Sequence, residues 1–287
     1  MSNRGAGRLI LVATPIGNLG DMTARATEVL ATADVVCCED TRRTRALLSA
    51  LGVAAGGRLV SVHGHNEAAR AAQVVGWLTE GRTVALVSDA GTPAVSDPGA
   101  RIVAAAVGAG QSVTVAPGPS AVLGALVVSG LPTERFCVEG FLPRRGAERR
   151  TRLEALAVEE RTTVLLESPQ RLAGTLADLA RALGARPLAV VRELTKLHEE
   201  VWRGDLVEAA AAFADREVRG EVVLVFGGAR EAASPSDQMV AAAVAVRLAE
   251  GASVRDAAEA VATTLGVPHR RAYRAALAAR DDARPRG

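Results

Sequence analysis

Ten short apolar runs mark the chain, at residues 8–13, 34–38, 58–62, 83–88, 112–116, 135–138, 162–167, 187–192, 198–203 and 221–226. Helical spacing fills most of the gaps between them, over 23–33, 43–51, 67–80, 100–109, 120–129, 147–158, 170–183 and 206–214. Strands that alternate with helices in this way predict α/β layers, because the helices cover the faces of a sheet. The first five strands read as one sheet, left by the rigid segment Pro117-Gly118-Pro119. Later strands crowd together around 187–203, where Glu199 to Arg203 is expected to pair back on Ala189 to Glu193. That predicts a second, mixed sheet with antiparallel members, and a cleft between two sheets is a natural small-molecule site. The expected organisation is an N-terminal α/β domain over 1–118, a second α/β domain over 119–229, a linker over 230–237 and a helical extension over 238–287.

The extension carries three helical patterns, 237–250, 253–265 and 268–280, with no strand among them. Ser253 followed by Asp256 resembles a capping box, and Gly266 stops the same helix. The last helix opens with Arg270 and Arg271. Such a unit reads either as a helix-turn-helix nucleic-acid module or as a helical cap or dimer prop.

With 287 residues, of which 49% are apolar, the chain can bury two real cores. No stretch approaches the ~20 apolar residues of a membrane span. The first apolar run, Leu9–Ala13, is too short for a signal peptide. Three cysteines, two of them adjacent (Cys37 and Cys38), form neither a disulfide framework nor a zinc pattern. His63-x-His65 lacks a third ligand at suitable spacing, so no metal is expected. The expected location is the cytoplasm.

A net charge of +2 does not by itself argue for a nucleic-acid partner, but its distribution does. Arg144, Arg145, Arg149, Arg150 and Arg152 crowd one segment against a single acid, Glu148, and Arg42, Arg43 and Arg45 follow Glu39-Asp40. Both clusters read as phosphate contacts or as solvated surface. Lys196 is the sole lysine among 34 basic residues. Its compact ammonium can transfer a proton where a guanidinium cannot, although chance also explains one lysine. Aromatic residues make up only 2%, which argues against aromatic capture of single-stranded RNA, and Trp77 and Trp202 read as core.

The densest loop follows the fourth run: Ser88-Asp89-Ala90-Gly91-Thr92-Pro93-Ala94-Val95-Ser96-Asp97-Pro98-Gly99. It is neither Gly-x-Gly-x-x-Gly nor a Walker loop, so the usual dinucleotide and nucleoside-triphosphate readings do not apply. Glycines and prolines so closely set serve rigid turns and close backbone approach, at the strand edge where ligands collect in open α/β sheets. Comparable turns follow other strands: Pro15-Ile16-Gly17-Asn18-Leu19-Gly20-Asp21, Pro117-Gly118-Pro119-Ser120-Ala121 and Glu167-Ser168-Pro169-Gln170-Arg171.

Together these segments resemble the tetrapyrrole methylase-like (class III) methyltransferases, and more closely their ribosomal RNA small subunit methyltransferase I branch. Glu39-Asp40-Thr41-Arg42, His65-Asn66-Glu67, Glu139-Gly140-Phe141-Leu142-Pro143 and Arg192-Glu193-Leu194-Thr195-Lys196 add to the likeness, which spans essentially the whole chain. The resemblance implies two α/β domains holding S-adenosylmethionine between them, a homodimer, and methyl transfer to a cytidine ribose 2′-hydroxyl in the decoding region of 16S rRNA. The substrate would be the rRNA or the assembled small subunit. It implies cofactor contacts from Pro15, Asp89, Gly91, Pro93, Val95, Ser120 and Ala121 in the first half, and from Glu167, Gly220 and Glu221 in the second.

Candidate catalytic residues are Asp40, Glu193 and Lys196; the last two read equally as a plain ion pair. Candidate RNA contacts are Arg42, Arg43, Arg144, Arg145, Arg149, Arg150, Arg270 and Arg271. Gln170 and Arg219 depart from the family pattern, which has histidine and lysine there. Two rival readings share the fold: a methylase of a small tetrapyrrole, and a non-catalytic ribosome-assembly factor.

Overall fold

The computed structural model describes residues 7–229 and 236–282, and its residues 1–228 and 229–287 form two compact units. In the first unit, β1 (Arg8–Val12), β2 (Val35–Cys38), β3 (Leu59–Ser61), β4 (Thr83–Val87) and β5 (Ser112–Ala116) form a parallel sheet in the order β3-β2-β4-β1-β5. The connecting helices are α1 (Ala24–Thr32), α2 (Thr41–Ala50), α3 (Glu67–Thr79) and α4 (Ala100–Gly108). Alternation along β1 feeds both faces: Leu9 packs with Leu78, Leu86 and Ile102, whereas Ile10 and Val12 pack with Leu30 and Leu48. From β1 the chain crosses to β2 on one side, and from β4 to β5 on the other. The loops after these neighbouring strands therefore open a crevice at their carboxyl ends.

The second sheet contains β6 (Phe136–Phe141), β7 (Thr162–Glu167), β8 (Pro187–Arg192), β9 (Glu200–Asp205) and β10 (Val222–Phe226), in the order β6-β7-β10-β8-β9. Only β6 and β7 run parallel, and β10, last in sequence, lies at the centre, antiparallel to both neighbours. The expected return pairing is present, with Ala189 opposite Arg203 and Arg192 opposite Glu200. Helix α5 (Ala121–Ser129) covers one face through Val122, Ala125 and Leu126. Helices α6 (Gly146–Ala157), α7 (Leu172–Leu183) and α8 (Leu206–Ala212) cover the other with Leu156, Leu172, Leu176, Leu179 and Leu206.

One strand outruns its sequence signature. β6 continues from Val138 to Phe141, because the register shifts between Val138 and Gly140 and leaves Glu139 as the extra residue of a bulge. Gly140 takes a left-handed φ of 71°, which a glycine accepts without strain. In a linear reading that glycine looks like the end of the strand.

In the second unit, α9 (Asp237–Ala249), α10 (Val254–Leu265) and α11 (His269–Asp282) enclose Val240, Val244, Ala258, Val261, Ala272 and Ala276. Ser253 caps α10: its Oγ accepts the Asp256 N–H at 3.2 Å and meets the Asp256 carboxylate at 2.7 Å. Residues 230–235 of the expected linker lie outside the described residues, and Asp237 already belongs to α9. Among the described residues no helix is long and apolar enough to cross a membrane.

Candidate functional site

Three loops of the first sheet interlock. The N–H of Thr14 donates to the Gly91 carbonyl at 2.9 Å, and the N–H of Gly91 returns a bond to Thr14 at 3.0 Å. Thr14 Oγ1 donates to the Ser88 carbonyl at 3.2 Å, and Thr92 Oγ1 donates to the Pro119 carbonyl at 3.2 Å. Gly91 has φ +77°, and a Cβ there would stand 3.3 Å from Ile16 Cγ2, so the Gly91 turn needs both the conformation and the close approach of glycine. The far end of the loop is held by Glu67 of α3, whose buried carboxylate accepts the N–H groups of Gly99 and Arg101 at 2.9 Å each. Between these anchors Ala94 and Ser96 are both forced to positive φ, 66° and 63°. Such strain persists only where the surroundings over-determine it, and it collects at functional sites.

This loop forms one wall of a cavity of about 360 Å³ between the two sheets. Of the residues singled out from sequence, Gly91, Val95, Ser120 and Ala121 line it from the first half, with Glu167, Gly220 and Glu221 opposite. Pro15, Asp89 and Pro93 do not line it. Pro15 adjoins the Thr14–Gly91 bridge, and Pro93 is buried within the loop. Asp89 accepts the Asp40 N–H at 3.1 Å and pairs with Arg43 at 3.3 Å.

Glu167 ends β7 with its side chain fully buried. Its carboxylate accepts the Ser168 N–H at 2.8 Å and the Thr175 hydroxyl at 2.6 Å, and faces Arg171 at 3.3 Å. Behind it Arg149 bonds Thr175 Oγ1 at 3.1 Å, Asp178 at 2.9 Å and the Pro143 carbonyl at 2.9 Å. The expectation that Arg149 meets RNA is therefore corrected: its guanidinium is buried and spent on tying α6 to α7. Arg144, Arg145 and Arg150 of the same cluster are exposed. Arg152 is engaged by Glu139.

The candidate catalytic residues separate. Asp40 caps α2, accepting the Arg42 N–H at 2.8 Å and pairing with the Arg42 guanidinium at 2.9 Å, and lies outside the cavity lining. The hydrogen bonds from Arg42 hold its carboxyl down at about 2. Arg42 and Arg43 themselves are exposed. Glu193 and Lys196, by contrast, sit together on a strap between β8 and β9. Lys196 Nζ donates to Glu193 at 2.8 Å and to the cavity-lining Glu221 at 3.2 Å. Glu193 also accepts the Glu221 N–H at 2.9 Å. The bonds from Lys196 and then from Glu221 pull the Glu193 carboxyl below its ordinary range. Burial works against the Lys196 charge, but the bonds to Glu193 and Glu221 outweigh it and raise its pKa. The stem of Lys196 occupies the space a Cβ would take at Gly17, so the strap reaches the loop after β1. Glu193 and Thr195 both have positive φ, 51° and 68°.

Asp97 and Phe141 are among the lining residues that were not singled out from sequence. Asp97 lies in the same Gly/Pro loop, and burial, then the neighbouring Asp89, raises its carboxyl above the usual range despite a bond from Ser88. Phe141 lines the opposite wall, where the bulge carries it. In the helical unit, Arg270 is exposed, whereas Arg271 pairs with Asp237 at 2.7 Å and joins α11 to α9.

A parallel and a mixed five-stranded sheet, with interlocked Gly/Pro loops facing a cavity between them, make a two-lobed α/β unit. Residues 8–210 match the family described as Tetrapyrrole (Corrin/Porphyrin) Methylases. The ribosomal RNA small subunit methyltransferase I of Mycobacterium tuberculosis is 51% identical over 277 residues, covering 96% of each chain. Its counterpart from Synechocystis is 44% identical, covering 94% of this chain and 98% of that one. Among solved structures, uroporphyrin-III-C-methyltransferase from Thermus thermophilus superposes with a TM-score of 0.54 and 28% identity, covering 77% of this chain and 94% of that one. The chain belongs to the ribosomal RNA small subunit methyltransferase I family, within the tetrapyrrole methylases.

Proposed function

We propose that the protein transfers a methyl group from S-adenosylmethionine to the ribose 2′-hydroxyl of a cytidine in the decoding region of 16S rRNA. The observation that carries this reading is the likeness, over nearly the full length, to relatives named for methylation of the small-subunit rRNA. The cavity suits the cofactor chemically. Ile16, Val122, Leu166 and Val223 offer apolar surface, while Asp97 and Glu221 offer carboxylates to a cationic ligand. Gly91, Val95, Ser120, Ala121, Glu167, Gly220 and Glu221 would hold it, with Pro15, Asp89 and Pro93 fixing the loops behind. When bound, S-adenosylmethionine supplies an electrophilic methyl group on a sulfonium.

The chain's own work is then to align the hydroxyl and to accept its proton. Alignment lowers the barrier by several kcal/mol. For the proton we propose the carboxylates of the cleft, with the Glu193–Lys196 pair fixing Glu221 and Asp40 holding the Asp89 side of the loop. Arg42, Arg43, Arg144, Arg145, Arg150 and Arg270 would meet phosphate. The outer face of α5, with Leu123 and Val127 exposed, supports a homodimer, and the reading places the protein in the cytoplasm with rRNA.

The likeness to a uroporphyrin methylase supports a second reading, methylation of a small tetrapyrrole, against which the exposed arginines weigh. Labelled methyl transfer, offered rRNA, small ribosomal subunits and tetrapyrroles in parallel, separates the two. The modified nucleotide is then mapped by mass spectrometry. Label on a tetrapyrrole and none on RNA would overturn the first reading.

A further inference from the structure

Phe141 is one of four phenylalanines in the chain, and it stands 54% exposed at the wall of the cofactor cavity. Strand alternation explains why it points away from Leu142, which is buried, but not why the outward residue is aromatic. Leaving such a side chain half in water forgoes burial that a polar residue would not need. The backbone is shaped to keep it there. The bulge at Glu139 and the left-handed Gly140 turn the end of β6 towards the strained loop, close enough that a Cβ on Gly140 would stand 3.4 Å from Ser96 Oγ. Across the mouth Val95 of that loop is also 45% exposed. The ring thus faces the cofactor cavity on one side and, on the other, a shallow cavity bounded by Glu139, Pro143, Glu148, Thr151 and Arg152.

Charge around the ring is divided: Asp97, Glu167 and Glu221 lie on the cofactor side and Glu148 on the outer side, where exposed arginines outnumber it and suit a polyanion. Glu139, the nearest carboxylate in sequence, is neutralised by Arg152. Arg144 and Arg145 follow three and four residues after Phe141 and are exposed, as is Arg150. An aromatic face beside exposed guanidiniums matches a single-stranded RNA segment: a base stacks on the ring while flanking phosphates meet the arginines. Low aromatic content excludes a platform of several rings, but a single acceptor nucleotide needs only one.

We propose that Phe141 is the stacking surface for the acceptor nucleobase, which leaves the RNA strand to lie across the cavity mouth with its ribose towards the cofactor. This rests on the reading that the acceptor is an RNA ribose. The test compares the wild type with Phe141→Ala, Phe141→Leu and Phe141→Tyr in the full chain, on small ribosomal subunits. Loss of the ring, in Ala and in Leu, should lower kcat/KM for the RNA by about 5- to 150-fold, the range a stacked base is worth. Tyr should recover most of that loss. Affinity for S-adenosylhomocysteine, measured by calorimetry, should stay within about twofold in all three, in line with a ring reserved for the acceptor. A wild-type rate in Phe141→Leu would overturn the proposal, because leucine keeps the apolar contact without the ring. So would a parallel loss of S-adenosylhomocysteine affinity, which assigns the ring to the cofactor. A wild-type protein that methylates no RNA would instead bring down the functional reading and the proposal with it.

Discussion

Replacing Gly220 by alanine should disturb the site through a path that can be measured step by step. Gly220 has φ +88°, and a Cβ there would fall on the carboxylate of Glu193. The left-handed conformation alone costs an alanine about 1–2 kcal/mol. Displacing Glu193 also breaks its bonds to Lys196 and to the Glu221 N–H, 2.8 and 2.9 Å long. Charge-assisted bonds are worth about 1.5–3 kcal/mol each, but Lys196 is a quarter exposed and solvent takes over part of its role. About 2 kcal/mol for the pair is therefore a fair value. The total is about 3–4 kcal/mol, or a fall in Tm of roughly 6–16 °C at about 2–4 °C per kcal/mol for a unit of this size. Gly110→Ala is the matched control: its φ is +68°, yet nothing lies within 4 Å of the new methyl, so it should show the conformational cost alone. Thermal unfolding and guanidinium titration of both variants, alone and combined with Lys196→Met, provide the assay. If Gly220→Ala is no worse than Gly110→Ala, or strictly additive with Lys196→Met, the coupling through Glu193 does not exist.

Glu67→Gln should loosen the Gly99 end of the strained loop, because its amide oxygen still accepts both N–H groups but without the carboxylate's charge. We expect S-adenosylhomocysteine affinity to fall about tenfold, the loss of roughly one charge-assisted bond, with unchanged affinity in calorimetry refuting the anchoring role. The Glu193–Lys196 pair gives stability a window in pH. Glu193, depressed in the folded state, stabilises above the ordinary glutamate pKa, and that stability is lost as pH falls through its folded value. Lys196, raised in the folded state, stabilises below the ordinary lysine pKa, and that stability is lost as pH rises through its folded value. Lys196→Met should erase the alkaline limb and move the acid limb to higher pH in denaturation curves; an unaltered profile would count against the pair. Truncation after Ala233 should leave cofactor affinity intact and lower activity on small subunits, and full activity would deny the helical unit a part in substrate binding.

Much of this architecture is legible in the sequence because strand-length apolar runs and helical spacing are local signals. Every expected strand formed, and the return pairing of β9 on β8 followed from the short distance between two runs. The cavity loops were legible for the same reason: glycine and proline declare a turn wherever it ends up in space. Side-chain partners across the fold were not. Arg149 looks like any member of its cluster until α7 brings Asp178 and Thr175 against it. Glu67 reads as a helix start, although its carboxylate serves a loop 32 residues away. Phe141 escaped because the bulge that exposes it depends on pairing with β7, which no local pattern encodes.

The position of β10 has a bearing on how the chain is made. The strand at the centre of the second sheet is the last of that sheet to leave the ribosome, so β7 and β8 wait with their inner edges unpaired until residues 222–226 arrive. Open edges of apolar strands invite pairing with other chains, and closure over so long a loop is slow. Nascent chains interrupted before Phe226 should therefore be the aggregating species, and a chaperone that shields β-edges would act on this lobe in preference to the parallel sheet already completed ahead of it.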